Sequence, residues 1–210
     1  MPTPPGFRIC YYDGMPTMQP VVVPYQPSWP ADAASLIASL QELLGPTASR
    51  IEHIGSTAIA GMAAKNIFDL QVSVRELAEA TRVFDVPLST LGFTRSPYEA
   101  DHVPAGLDDD AANWSKRLWI RRADRGQPVN LHVRLVGSPN ERLALLFRDW
   151  FRAHPSAVAS YSEFKRRLSA LTPDTGAYAE TKDPVVDVVR VAAEEWAESV
   201  AWRADRGFRL

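Results

Sequence analysis

The sequence predicts an α+β fold: a mixed β-sheet flanked by helices, followed by a helical C-terminal third. Three observations predict it. Ile67–Val74 alternates strictly, with Phe68, Leu70, Val72 and Val74 on one face and Ile67, Asp69, Gln71 and Ser73 on the other. "PVNLHVRLV" alternates in the same way, with Leu131, Val133 and Leu135 opposed to Asn130, His132 and Arg134. After residue 138 only segments of helical length follow.

The elements can be taken in order. Residues 1–30 hold eight of the 17 prolines. Residues 1–19 are expected to be a flexible segment, and 20–205 a single domain. Val21–Val23 could add an edge strand; the prolines around it forbid a central one. Ser28 and Pro30 open a helix over 31–44, whose apolar face is Leu36, Ile37, Leu40, Leu43 and Leu44. Gly45-Pro46 stops it. "SRIEHIG" reads as a short strand running into a turn, residues 75–85 as a helix, and "LGFTRS" as a turn and short strand. Residues 97–113 form a polar loop without pattern, either a flap or a disordered stretch. "KRLWIRR" and "PVNLHVRLV" are neighbouring strands. "SPNE" at 138–141 is a capping box opening a helix to about 153. A second helix covers 156–171. A long last element ends near Arg203, capped or kinked at Asp183-Pro184.

The 210 residues, 46% hydrophobic, suffice for one core. The net charge of −2 hides an asymmetry. Residues 1–112 carry 6 basic and 13 acidic side chains; residues 113–210 carry 17 and 12. The near-neutral total speaks against general nucleic-acid binding, while the basic half suits either a local phosphate-binding surface or a solvated helical face. Cys10 is the only cysteine, which excludes a disulfide framework and a thiolate metal site. Without a signal-peptide pattern or an apolar run of about 18 residues, no membrane span is expected and the location is expected to be cytoplasmic.

The chemistry concentrates in "EHIGSTAIAGMAAKNIFDLQV", residues 52–72. A glycine beside small hydroxyl residues lets backbone approach a phosphate, so Gly55, Ser56 and Thr57 are candidate phosphate ligands. Twelve residues separate Ser56 from Asp69, enough to turn back into an adjacent strand. Asp69 would then face the phosphates and could hold Mg²⁺, a cation that prefers oxygen. His132, on the polar face of its strand, could accept a proton or act as a ligand, or could be a capped cleft histidine.

This Gly-Ser…Asp pattern resembles the nucleotidyltransferase superfamily related to DNA polymerase beta. There an Asp-x-Asp or Asp-x-Glu pair follows on the second strand; here the second acid is Gln71. Over residues 20–200 the chain resembles the GrpB family, a nucleotidyltransferase-like group. The likeness is carried by "YQPSWP", "IEHIGSTAIAGMAAKNIFDLQV", "NLHVRL", "LLFRDWFRAHP", "YSEFKRRL" and "YAETK". "WSKRLWIRRADRGQPVNLHVR", residues 114–134, is similar to the GrpB-type C-terminal domain of actinobacterial dephospho-CoA kinases. A G-x-x-x-x-G-K-[ST] phosphate cradle is missing, so kinase activity is not implied.

The resemblance implies a polymerase-beta-type nucleotidyltransferase fold with Asp69 and His132 as catalytic residues. Asp69 would also bind metal, His53, Gly55, Ser56 and Thr57 would hold the nucleotide, and Lys165 and Lys182 match basic positions of the family's helical region. From their positions Lys65, in the turn before its strand, Lys116 and Arg117, on the neighbouring strand, and Arg148, on a helix, are further phosphate-binding candidates; for Lys65 the alternative is a solvated loop lysine, and for Lys165 and Lys182 a charged helical surface. Glu52 is a further candidate assistant. For His53 the alternative is a hydrogen bond to a neighbouring loop; for Arg148, ion pairs with acids such as Asp149. Arg152 shares Arg148's face. Asp108–Asp110 read as solvated acids, and Trp29, Trp114, Trp119 and Trp150 as core or interface anchors. The implied activity is ATP- and Mg²⁺-dependent nucleotidyl transfer to a small molecule, or ligation coupled to adenylation. The alternative is a non-catalytic nucleotide- or CoA-related binding or assembly module linked to dephospho-CoA kinase. A third reading has the helical third docking a protein partner.

Overall fold

A computed structural model describes residues 19–205. The expectation of a flexible segment falls almost wholly outside them. Five strands form one mixed sheet: β1 (Arg50–Ile54), β2 (Phe68–Val74), β3 (Phe93–Arg95), β4 (Lys116–Arg121) and β5 (Val129–Leu135). Their spatial order is β1-β2-β5-β4-β3. β2 and β5 are parallel; every other pairing is antiparallel. The parallel pair lies at the centre, so both alternating segments recognised in the sequence are covered on both faces.

One face of the sheet is the apolar side of that alternation. Phe68, Leu70, Val72, Val74, Val129, Leu131 and Val133 pack against α1 (Trp29–Leu44) and α2 (Leu77–Thr90) in the main core. The other face carries Asp69, Gln71 and Ser73 beside Asn130, His132 and Arg134, in parallel register. Three helices cover it: α3 (Pro139–Ala153), α4 (Pro155–Leu171) and α5 (Thr175–Ser199). Two smaller apolar clusters seal them to the sheet, one around Leu145, Leu146 and Ala197, the other around Met62, Phe151 and Tyr161.

Several local expectations change. Val23 makes only an isolated bridge to Ala64 and adds no strand to the sheet. α2 runs past Pro87 to Thr90, and α5 runs through Pro184, because tertiary packing outweighs the lost N–H. α5 is capped by Asp174, whose carboxylate accepts from the Ala177 N–H, not by Asp183. The capping box at 138–141 does not close. Ser138 donates to Leu135 O, Asn140 Oδ1 accepts from Glu141 N–H, and Glu141 is drawn to Arg50, Ser73 and the Gly137 N–H. Trp29, Trp114 and Trp119 are buried. Among the described residues no helix is long and apolar enough to cross a membrane.

Candidate functional site

Between the polar face of the sheet and the three C-terminal helices lies a cavity of about 290 Å³. Its floor is the β2–β5–β4 surface, with Asp69, Asn130, His132, Arg134, Leu118 and Ile120. Its rim is built from the Gly55–Thr57 turn, Lys65, and the helical residues Lys165, Tyr178, Lys182 and Asp183. An apolar wall of Leu143, Ala144, Phe147 and Val186 closes one side.

The Gly-Ser turn sits where β1 ends. Gly55 has φ +67°, and a Cβ there would lie 2.5 Å from Asp69 Oδ2. Only glycine allows the turn to close over the carboxylate. Gly55→Ala is therefore expected to destabilise the fold by about 3 kcal/mol, from backbone strain and overpacking together. That corresponds to about 6–12 °C in Tm, measurable by thermal melting; an unchanged Tm would refute the close approach.

Asp69 is held by its β5 neighbours. Asn130 Nδ2 donates to Oδ1 at 2.8 Å, and His132 Nε2 faces the same oxygen at 3.6 Å. Burial alone would raise the Asp69 carboxyl; His132, Asn130 and the charge of Lys182 outweigh it and hold it down at about 2. His132 is lowered to about 4, mainly by burial and then by Arg134, so it is neutral at neutral pH. An Arg134 guanidinium N–H points to His132 Nδ1 at 3.5 Å, which leaves the proton on Nε2, toward Asp69. In this tautomer His132 Nε2–H faces the carboxylate, and Nδ1, 3.5 Å from Arg134 Nη2, is the nitrogen left to accept a proton.

Three lysines converge from separate elements. Lys65 precedes β2, Lys165 lies on α4 and Lys182 on α5. Lys165 Nζ donates to Ser56 Oγ at 2.9 Å and lies 5.0 Å from the Tyr161 ring centroid. Lys65 lies 5.2 Å over the Tyr178 ring. Burial and Lys182 depress both amines, Lys65 to about 8 and Lys165 to about 6, with Asp69 opposing. Mutual repulsion of ammonium groups in a partly dry cavity favours an anion among them.

The expected residues thus divide. Gly55, Ser56, Thr57, Lys65, Asp69, His132, Lys165 and Lys182 line one cavity. Four others do not. His53 points to the core face, 2.9 Å from Thr57 Oγ1 and against the Phe68 ring; burial lowers it to about 4. Its position one residue before Ile54, which pairs with Asp69, puts it on the opposite side of β1. Lys116 is fully buried beneath the cavity, 2.6 Å from Asp101. Arg117 faces the other way, donating to Lys116 O and pairing with Glu99. Arg148 is clamped by Asp149, Glu52 and the His53 carbonyl, which also removes Glu52 from the site. Behind the turn, Arg152 donates to the Ala58 carbonyl and braces it.

Other residues of the site were not singled out in the sequence. Asn130 belongs to the polar alternation with His132, which was a usable signal. Asp101 had none: it lies in the patternless 97–113 loop, yet reaches inward to Lys116, Arg134 and Asn140. His102, Asp183 and Asp187 pin this loop to α5, with His102 Nε2 3.1 Å from Asp187 Oδ1. Asp109 and Asp110 instead serve the local turn, bonding Asn113, Trp114 and Ala112.

The acids do not assemble a divalent-cation centre. Asp69 Oδ1 is engaged by Asn130, and both oxygens of Asp101 are engaged by cations. Gln71 is an amide, hydrogen-bonded to Arg134 and to the Glu141 carbonyl. Among the described residues no group of three or more His, Cys, Asp or Glu side chains could hold a metal. The protein would offer Mg²⁺ a single carboxylate, Asp69, and such an ion would depend on water and ligand phosphates for its other oxygens.

Comparison with known proteins bears on the family and the fold. The dephospho-CoA kinase of Mycolicibacterium paratuberculosis is 34% identical over 200 residues, covering 87% of this chain and 48% of that protein. The dephospho-CoA kinase of Mycobacterium leprae is 36% identical over 207 residues, again covering 48% of its length. The UPF0157 protein YqkA of Bacillus subtilis is 29% identical over 192 residues, 91% of this chain and 52% of that protein. The chain therefore spans about half the length of these curated relatives. The crystal structure of the conserved protein GrpB from Enterococcus faecalis superposes with a TM-score of 0.68 at 24% identity, covering 84% of this chain and 99% of that one, and shows the same fold. The family model described as GrpB protein matches residues 19–191, so the chain belongs to the GrpB family.

Proposed function

We propose that the cavity binds a phosphate-bearing small molecule, a nucleotide or a CoA-related compound. The observation that carries this reading is the convergence of Lys65, Lys165 and Lys182 with the Ser56 hydroxyl on one enclosed space. A phosphate entering there accepts from Ser56 and from ammonium groups that otherwise repel one another. The apolar wall of Leu143, Phe147 and Val186 offers contact to a base or an alkyl arm. Relatives named dephospho-CoA kinase make ATP, CoA and dephospho-CoA the first ligands to test. Calorimetry with each is expected to give 1:1 binding with at least one, and weakening of about tenfold or more in Ser56→Ala plus Lys182→Met. No heat with any of the three would end the proposal.

A second reading, nucleotidyl transfer to a small acceptor, is favoured by Asp69. Its Oδ2 lies beside the Gly-Ser turn. An ionised carboxylate there can orient an acceptor hydroxyl. Asp69→Ala would then abolish ATP turnover while the fold and ligand binding persist; equal turnover in the variant would remove Asp69 from the chemistry.

A further inference from the structure

We infer that this cavity engages its anionic ligand without a divalent cation, and that Lys65, Lys182, the Arg134 guanidinium and, once the anion is bound, Lys165 are the cations that take a metal's place. The inference rests on the anion-binding reading above and adds to it how the charge is met.

The argument begins at Gln71. In the paired-acid arrangement that the nucleotidyltransferase resemblance implies, this position would carry a second metal-binding carboxylate. Here Gln71 is fully buried, and its Oε1 accepts from Arg134 Nη1 at 2.6 Å. Its Nε2 donates to the Glu141 carbonyl at 3.2 Å, which fixes the amide's orientation. An amide anchors a guanidinium but does not neutralise it. Arg134 also donates through Nε to Asp101 Oδ2 at 2.8 Å, while Lys116 holds Asp101 Oδ1 at 2.6 Å. One carboxylate therefore bonds two basic side chains, and the Arg134–Asp101–Lys116 group has more basic than acidic members. Arg134 and Asp101 both line the cavity.

The remaining acids do not reverse that balance. Asp69, with Asn130 on its Oδ1, stands among Lys65, Lys165 and Lys182. Asp183, on α5, lies 4.0 Å from His102 Nδ1, at the loop side of the cavity. A divalent ion placed at Asp69 would meet a single carboxylate and the repulsion of the Lys65 and Lys182 ammonium groups. A polyphosphate placed there would meet complementary charge from four sides. The cations are built into strands and helices, so their positions are set before the ligand arrives.

The test is calorimetry with ATP and with inorganic tripolyphosphate, each in EDTA and in excess MgCl₂, on the unmodified chain. Mg²⁺ binds ATP and tripolyphosphate in solution and neutralises part of the charge that the lysines would meet, so binding is expected to be no tighter in MgCl₂ than in EDTA. Binding seen only with MgCl₂, or tightened tenfold or more by it, overturns the inference and leaves the anion-binding reading standing. No binding in either medium overturns that reading and the inference with it. Asp69→Asn gives an independent outcome of opposite sign. If Asp69 were a metal ligand, the variant would lose binding. Under the inference it loses a negative charge beside the phosphates, and binding in EDTA tightens by about threefold or more. A melting curve establishes that the variant is folded, and loss of binding in a folded variant counts against the inference.

Discussion

Asp101→Ala is expected to destabilise the protein by about 3–5 kcal/mol, because it removes the carboxylate that bonds two buried basic side chains. Lys116 is fully buried, and the Arg134 side chain is 8% exposed. Asp101 bonds both, at 2.6 and 2.8 Å, and also accepts from Asn140. Burial would raise its pKa, but Arg134 and Lys116 more than reverse this and hold it far below the ordinary carboxylate range. A carboxyl depressed in this way contributes stability that is present above its unfolded pKa and is lost only as pH falls through the folded value. At neutral pH the contribution is complete, so truncation removes all of it. The Tm should fall by roughly 10 °C or more. Asp101→Asn keeps hydrogen-bond acceptance but not charge, and should fall between. A melt of Asp101→Ala within about 2 °C of the parent would show that the loop does not close the ion cluster.

Lys165→Met is expected to remove the pH dependence of anion binding. Lys165 faces Ser56 and Asp69 from one side, Lys182 from α5, Lys65 from the turn before β2, and Arg166 on its own helix. Burial and Lys182 bring its amine to about 6. Above that pH the ligand-free protein holds Lys165 neutral. A phosphate favours the ammonium, so binding takes up a proton. Affinity should be highest below pH 6 and should fall about tenfold per pH unit until the pKa of the bound state is passed. Lys65, near 8, steepens the decline above that value. In Lys165→Met the decline between pH 6 and 8 should flatten, with affinity at pH 6 down about ten- to hundredfold for loss of a charged hydrogen bond. Proton uptake, read as the dependence of calorimetric heat on buffer ionisation enthalpy, should vanish with it. The same shift has a stability signature. The unfolded chain binds more protons than the folded one between pH 6 and 10.5, so stability rises with pH across that window, and the variant should lose this slope. A parent affinity that is flat from pH 6 to 8 would contradict the placement of Lys165.

The sheet and its two faces were legible because strand alternation is a local property. Phe68, Leu70 and Val72 against Asp69, Gln71 and Ser73 separate core from cavity whatever surrounds them. The Gly55-Ser56 turn was legible for a similar reason: a positive φ beside a close carboxylate leaves few alternatives to glycine. Charge is different. Arg148 and Lys165 are both basic residues on C-terminal helices, and sequence offers no means of ranking them. Packing turned Arg148 toward Glu52 and Asp149, where its charge is spent on an ion pair, and Lys165 toward Ser56. His53 and Asp69 look alike as polar residues on adjacent strands, but one step of register sends the histidine to the opposite face.

By itself, then, the chain determined its strands, its helices and the pairing of a glycine-containing turn with one aspartate, all set by spacing within short segments. Only the tertiary structure decided which cations reach the cavity, that Asp101 comes in from a patternless loop to hold two of the buried ones, and that Asp69 stands in the cavity with Asn130 and His132 beside it. These depend on which side chains meet across long sequence separations. The balance of desolvation against pairing is fixed only at such meetings, and no local pattern encodes it.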